Sequence, residues 1–203
     1  CGGSSRNQGV TPQASAPCPA WEYADSPGVE GVLRGRAASI IQRLLTPGLL
    51  DAVEVGRDTR PVHVELFHGL TPPNFDWYAG NYRGVSLPCL DTYEVTIGAD
   101  RLVGTPARGV ASAMDQFGRD LEAGIRALDA QFLAGGDPVD HLLRTVRLAA
   151  LLFTGFLTIH PYANGNGHLA RFLVWLVLGR WGLRPERWTI EPRPSTALYS
   201  DAI

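Results

Sequence analysis

Residues 160 to 171 read His160-Pro161-Tyr162-Ala163-Asn164-Gly165-Asn166-Gly167-His168-Leu169-Ala170-Arg171, and place two imidazoles, two carboxamides, two glycines and a guanidinium in one short stretch. Imidazole has an ordinary pKa of about 6.5, close to working pH, so His160 suits a general base. Gly165 and Gly167 admit backbone conformations closed to other residues. The apolar run after them predicts a helix beginning near Asn166 or Gly167, whose first amides lack intrahelical partners and carry the positive end of the dipole. Those amides, with Arg171 about one turn into the helix, describe an anion site suited to phosphate. A histidine stands at the mouth of that anion site.

Two apolar runs hold this turn between them, Leu148 to Ile159 before it and Leu169 to Leu178 after it. Pro161 disfavours helix at His160. Val139 to Ile159 therefore predicts a helix that ends by delivering His160, and the helix to about Trp181 is apolar on all sides, as the centre of a bundle is. Val110, Met114, Phe117, Leu121, Ile125, Leu128 and Phe132 recur at helical spacing over Val110 to Leu133. A helix is also predicted from Ser26 as N-cap, with Pro27 at its first position, to about Leu45. Val62 to Leu70 predicts another, while Leu49 to Val55 reads as a turn or irregular piece. Tyr93 to Ile97 alternates with period two, and Gly98-Ala99-Asp100 before Arg101-Leu102-Val103 predicts a short hairpin. The fold class is therefore mainly all-α with one hairpin. Residues 1 to 19 have little to bury and read as a disordered linker, so residues 20 to 203 make a single domain starting near Trp21. Residues 183 to 194 read as loop, and Ser195 to Ile203 as the opening of one more helix cut short.

The chain has 203 residues, 45% of them hydrophobic, enough for a packed core, and a formal net charge of -2. That balance argues against a nucleic-acid polymer or a membrane surface as partner. All 18 basic residues are arginine, so no lysine is present to bind phosphate. Three cysteines, Cys1, Cys18 and Cys89, lack metal-like spacing, and their odd number suggests no disulfide framework. No run reaches the 18 to 20 apolar residues of a membrane helix. These features point to a reducing, cytoplasmic and bacterial setting. The chain begins with Cys1 rather than Met, which suggests that a preceding piece is absent; Cys1-Gly2-Gly3-Ser4-Ser5 would also suit a processed lipoprotein terminus.

The stretch 160–171 resembles the Fic family signature H-P-F-x-(D/E)-G-N-G-R-x-x-R, and Ala79-Gly80-Asn81-Tyr82-Arg83 resembles the AG-x-x-R segment that Fic proteins carry upstream. The resemblance covers residues 26 to 181 or so. It implies a Fic-type helical bundle whose hairpin is a flap that aligns a target segment. It implies transfer of AMP from ATP to a Ser, Thr or Tyr hydroxyl of a target protein, or of the enzyme itself. His160 is then the base, Gly165, Asn166 and Gly167 the phosphate nest, and Arg171 the second motif arginine. Three positions depart from the pattern: Tyr162 replaces Phe, Asn164 stands where an acidic Mg²⁺ ligand is usual, and His168 stands where the first arginine is usual. Asn164 brings no charge, so Mg²⁺ would be held mostly by the nucleotide, and His168 lacks the planar grip of arginine on phosphate. Ser26 and Glu30 fit an inhibitory (S/T)-x-x-x-E-(G/N) motif, which implies a Glu30–Arg171 pair. A homodimer or an antitoxin stays open as a further partner. So do transfer of UMP, phosphocholine or phosphate, and a non-catalytic nucleotide-binding role.

Overall fold

The computed structural model describes residues 18–21, 28–97 and 101–194. Helix α1 spans Val29–Leu44, α2 Ala52–Arg57 and α3 Arg60–Phe67. A hairpin of β1, Val95–Ile97, and β2, Arg101–Val103, precedes α4, Val110–Leu133, α5, Pro138–Ile159, and α6, Asn166–Arg180. The strands are antiparallel, with Val95 opposite Val103 and Ile97 opposite Arg101. The expected caps Ser26 and Pro27, the turn 98–100 and the helix expected from Ser195 lie outside the described residues, as do residues 1–17.

Helix α6 is apolar around its circumference because it is enclosed around its circumference. Leu169, Phe172, Leu173, Leu176 and Val177 have no exposed surface, and burial of each such side chain contributes about 1.5–3 kcal/mol. It packs most extensively on α5, and α1 and α2 also lie against it. Helix α4 packs on α2 and α5 through the expected stripe, Val110, Met114, Phe117, Leu121, Ile125 and Leu128. Phe132, counted in that stripe, is 60% exposed and keeps a ring contact with His141 of α5.

Three expectations need correction. Residues 52–57 form a helix, because Asp51 accepts the Glu54 amide at 2.8 Å and supplies the cap that a short helix needs. Cys18 and Cys89 form a disulfide across 71 residues, with Cα atoms 5.5 Å apart; spacing along the chain carries no sign of this proximity. Disulfides persist in oxidising surroundings, so the cysteines give no ground for a reducing compartment. Finally, α5 is by length and composition long enough to cross a membrane, with mean hydropathy 1.6 in its most apolar window. One side of α5 meets α4 and α6, and Val139, Leu142, Leu143, Val146 and Leu151 are exposed on it.

Gly84 (φ +83°) shows how closely the segment after Ala79 fits the core, because a Cβ there would meet the Ala107 carbonyl oxygen at 1.9 Å. Neither the backbone angle nor the contact can relax without moving main chain. Gly84→Ala is expected to lower stability by about 3 kcal/mol in chemical unfolding; an unchanged midpoint would show that the segment can shift.

Candidate active site

The apolar end of α5 runs straight into the turn, and His160 is its C-cap in the left-handed region (φ 54°, ψ 59°), a conformation uncommon outside glycine. Three groups hold it there. The Arg83 Nε donates to the His160 carbonyl at 2.8 Å, the Thr105 amide donates to the Ile159 carbonyl at 3.0 Å, and Gly104 packs directly on the His160 side chain. A Cβ at Gly104 would lie 2.7 Å from that of His160. The base of the hairpin is thus built onto the histidine.

Arg83 is fully buried and its guanidinium is satisfied on every side. Besides His160 it donates to the Tyr93 carbonyl at 3.0 Å, the Thr105 carbonyl at 2.9 Å, the Ile159 carbonyl at 3.4 Å and the Glu94 carboxylate at 3.3 Å. The other Glu94 oxygen accepts the Ala107 amide, and the Arg83 amide donates to the Pro161 carbonyl at 2.8 Å. The Glu94 carboxylate thus sits within a larger set of carbonyls that joins the hairpin to the turn.

Inside the turn, Asn166 is only 3% exposed and bridges one residue twice: its Oδ1 accepts the Tyr162 amide at 2.9 Å and its Nδ2 donates to the Tyr162 carbonyl at 2.8 Å. Gly165 (φ +80°) caps α6, and a Cβ there would lie 2.4 Å from the Phe67 ring. Only glycine fits that approach. Gly167 passes the Arg171 guanidinium so closely that a Cβ would lie 3.2 Å from it.

His63 is the main site residue that sequence reasoning missed. It is fully buried in α3, stacked on Tyr162 with ring centroids 3.8 Å apart. Its Nδ1 accepts the Gly80 amide at 2.8 Å, so Nε2 carries the proton and donates to the Asn164 carbonyl at 3.0 Å. It therefore ties the Ala79–Arg83 segment to the turn. Its only sequence signal was a histidine within an apolar helix.

The three departures from the motif each have a local partner. The Tyr162 hydroxyl bonds Thr59 at 2.8 Å. Asn164 accepts the Gly165 amide on Oδ1 at 2.7 Å and donates from Nδ2 to the Trp21 carbonyl. His168, 7% exposed, bonds the Glu191 carboxylate at 2.7 Å and meets the Phe67 ring edge-on. Arg171, 3% exposed, donates from Nε to the Ile190 carbonyl at 2.9 Å. The 188–191 segment is further held by Trp175 donating to the Trp188 carbonyl and Trp188 donating to the Arg171 carbonyl. The expected Glu30–Arg171 pair is not formed: Glu30 is exposed and pairs with Arg34 one helical turn away. Its inhibitory partner in the motif, Ser26, lies outside the described residues.

Both ends of the Asn164 carboxamide are engaged, Nδ2 by the Trp21 carbonyl and Oδ1 by the Gly165 amide, which leaves one Oδ1 lone pair for a further partner. No cluster of three His, Cys, Asp or Glu groups suited to a metal occurs among the described residues.

Burial holds the His160 imidazole below its ordinary 6.5, with the Arg83 charge acting in the same direction and the Leu157 carbonyl opposing. Burial also pushes His63 down to about 3 and lowers His168 despite its bond to Glu191. Glu191 in turn is held below the carboxylate range, first by that bond. These two shifts agree if a neutral His168 donates to an ionised Glu191.

The geometry defines a helical protein with a histidine-led turn between the half-buried α5 and the enclosed α6, joined to a hairpin through one buried arginine. The family model of the Fic/DOC family matches residues 58–178, more than half of the chain, and the chain belongs to that family. No curated protein matches it, and no solved structure does.

Two outcomes are expected. Arg83→Ala strands the carbonyls of His160, Tyr93 and Thr105 and the Glu94 charge, which lowers stability by about 3 kcal/mol or more; a loss under 1 kcal/mol in urea unfolding would contradict the role given to Arg83. The second concerns pH. A histidine depressed in the folded state and near 6.5 when unfolded gives stability that is complete above 6.5 and declines as pH falls toward its folded value. His63, His160 and His168 all act in this direction. Melting temperature should therefore be flat above pH 7 and decline between pH 6.5 and 4.5, and His63→Phe should make that decline shallower while lowering stability at pH 8.

Proposed function

We propose that this chain transfers AMP from ATP to a Ser, Thr or Tyr hydroxyl of a target protein, itself included, in keeping with a family whose members transfer nucleotide-linked groups. The observation that carries the reading is the placement of His160, neutral by virtue of burial and Arg83, at the junction where α6 opens with Gly165-Asn166-Gly167. The free imidazole nitrogen takes the hydroxyl proton while that oxygen attacks the α-phosphorus. The bond from phosphorus to the bridging oxygen of pyrophosphate breaks, and pyrophosphate leaves. The first amides of α6 donate to the charge that builds on the phosphoryl oxygens, where a lost donor costs about 10²-fold in rate. The hairpin offers strand edges on which an extended target peptide can pair through its main chain, independent of its sequence.

Because His168 and Arg171 are engaged by Glu191 and the Ile190 carbonyl, a second reading has support: a donor less dependent on two cationic side chains, for transfer of phosphocholine, UMP or phosphate, or binding without transfer. Incubation with several labelled nucleotides and a lysate separates these, since each transferred group adds its own mass to the target. Label that falls at least about 10²-fold in His160→Ala is the expected result; label insensitive to that change overturns the role of His160. In the wild type, transfer should decline only below pH 6.5, on the limb where His160 becomes protonated; a decline that starts above pH 7 would contradict its depressed pKa.

A further inference from the structure

The segment Cys18 to Trp21 crosses the turn from outside the family core and is fastened at both ends. At one end, exposed Cys18 is bonded to Cys89. The loop of Cys89 is itself anchored beside the arginine hub, through the Gly84 amide to the Leu90 carbonyl at 2.6 Å and the Trp77 indole to the Pro88 carbonyl at 3.0 Å. At the other end, Trp21 is 2% exposed, donates to the Leu70 carbonyl at 2.8 Å and sets its ring edge-on to His63 and Phe67. Its carbonyl accepts the Asn164 Nδ2, and the Oδ1 of the same carboxamide accepts the Gly165 amide. A chain of bonds therefore runs from the disulfide through Trp21 and Asn164 to the first glycine of the turn. The residue at 164 must be able to donate and accept at once. Asparagine does so, whereas an aspartate would face the Trp21 carbonyl with a second acceptor.

We propose that this segment is a redox-controlled brace that positions the glycine turn. With Cys18 and Cys89 bonded, Trp21 fixes the Asn164 carboxamide, and the turn is ordered. With the bond reduced, Cys18 is released and, among the described residues of the segment, Trp21 keeps its contacts; the docked population falls and the turn loosens. The reductant is a dithiol: its thiolate attacks the exposed Cys18 sulfur and expels the Cys89 thiolate. Its second thiol then closes on the mixed disulfide and releases Cys18. Two electrons and two protons pass to the cysteines, and the dithiol becomes a disulfide. The structural claim stands without the transferase reading; only its consequence for phosphate binding rests on that reading.

The test is hydrogen exchange by mass spectrometry on the full chain, oxidised and after dithiothreitol, with Cys18→Ser and Asn164→Asp as unreduced variants and non-reducing peptide mapping alongside. Mapping should return a Cys18–Cys89 cross-link. Exchange in the peptide holding Gly165 should rise about tenfold on reduction and in both variants, while peptides of α4 keep their protection. Asn164→Asp should do this with the disulfide intact, which separates loss of the brace from loss of the bond. Free thiols at Cys18 and Cys89 in the unreduced chain, or a turn that exchanges equally in all forms, overturns the proposal. Redox-dependent exchange with no nucleotide transfer in either form upholds the brace and counts against the transferase reading alone.

Discussion

A guanidinium placed where no water can reach it must find acceptors for all of its donors, and Arg83 finds them in the carbonyls of four residues and one carboxylate. Burial lowers its pKa and the Glu94 charge beside it works against that shift. This requirement draws the end of α5, both ends of the hairpin and the start of the turn to one point. His160 can remain in the left-handed region because its carbonyl is held by Arg83 and its flank is filled by Gly104. A backbone state that is unfavourable for an isolated histidine is over-determined here by its neighbours.

The turn is specified from within and from outside. Asn166 closes it internally by holding both polar groups of the Tyr162 backbone. Outside, the three residues that depart from the family pattern each reach a different segment. Tyr162 reaches Thr59 at the start of α3, Asn164 reaches Trp21, and His168 reaches Glu191. Each substitution therefore has a physical account in this chain: an added hydroxyl with a buried partner, a carboxamide that must donate as well as accept, and a neutral donor facing a carboxylate.

The same packing controls protonation. His63 and His168 are buried and His160 is half-buried, in surroundings where charging an imidazole is unfavourable, and all three shift in the same direction. For His63, protonation would place a hydrogen on the nitrogen that accepts the Gly80 amide. For His160 the shift keeps the ring in the form that accepts a proton. One constraint thus serves stability at the first position and suits chemistry at the second.

Long helices and the turn were legible in the sequence because their signals are local. The apolar repeat of α4 and the Pro-capped start and Gly-rich end of the region around α5 and α6 depend on spacing, which the chain states directly. The hairpin follows from alternation and a turn signal, its register from the structure alone, and the family from two short motifs at 79–83 and 160–171. Other features became visible only in three dimensions, because they join residues far apart in sequence: the Cys18–Cys89 bond, the clasp of His63 on the turn, the cover of residues 188–191 over Arg171, and the surface pairing of Glu30 with Arg34 in place of Arg171. Residue type and spacing determined which groups are available as proton acceptors and hydrogen-bond donors. Tertiary packing decided which of them face one another, since a hydrogen bond or a disulfide depends on angstrom-scale placement that a linear pattern does not carry.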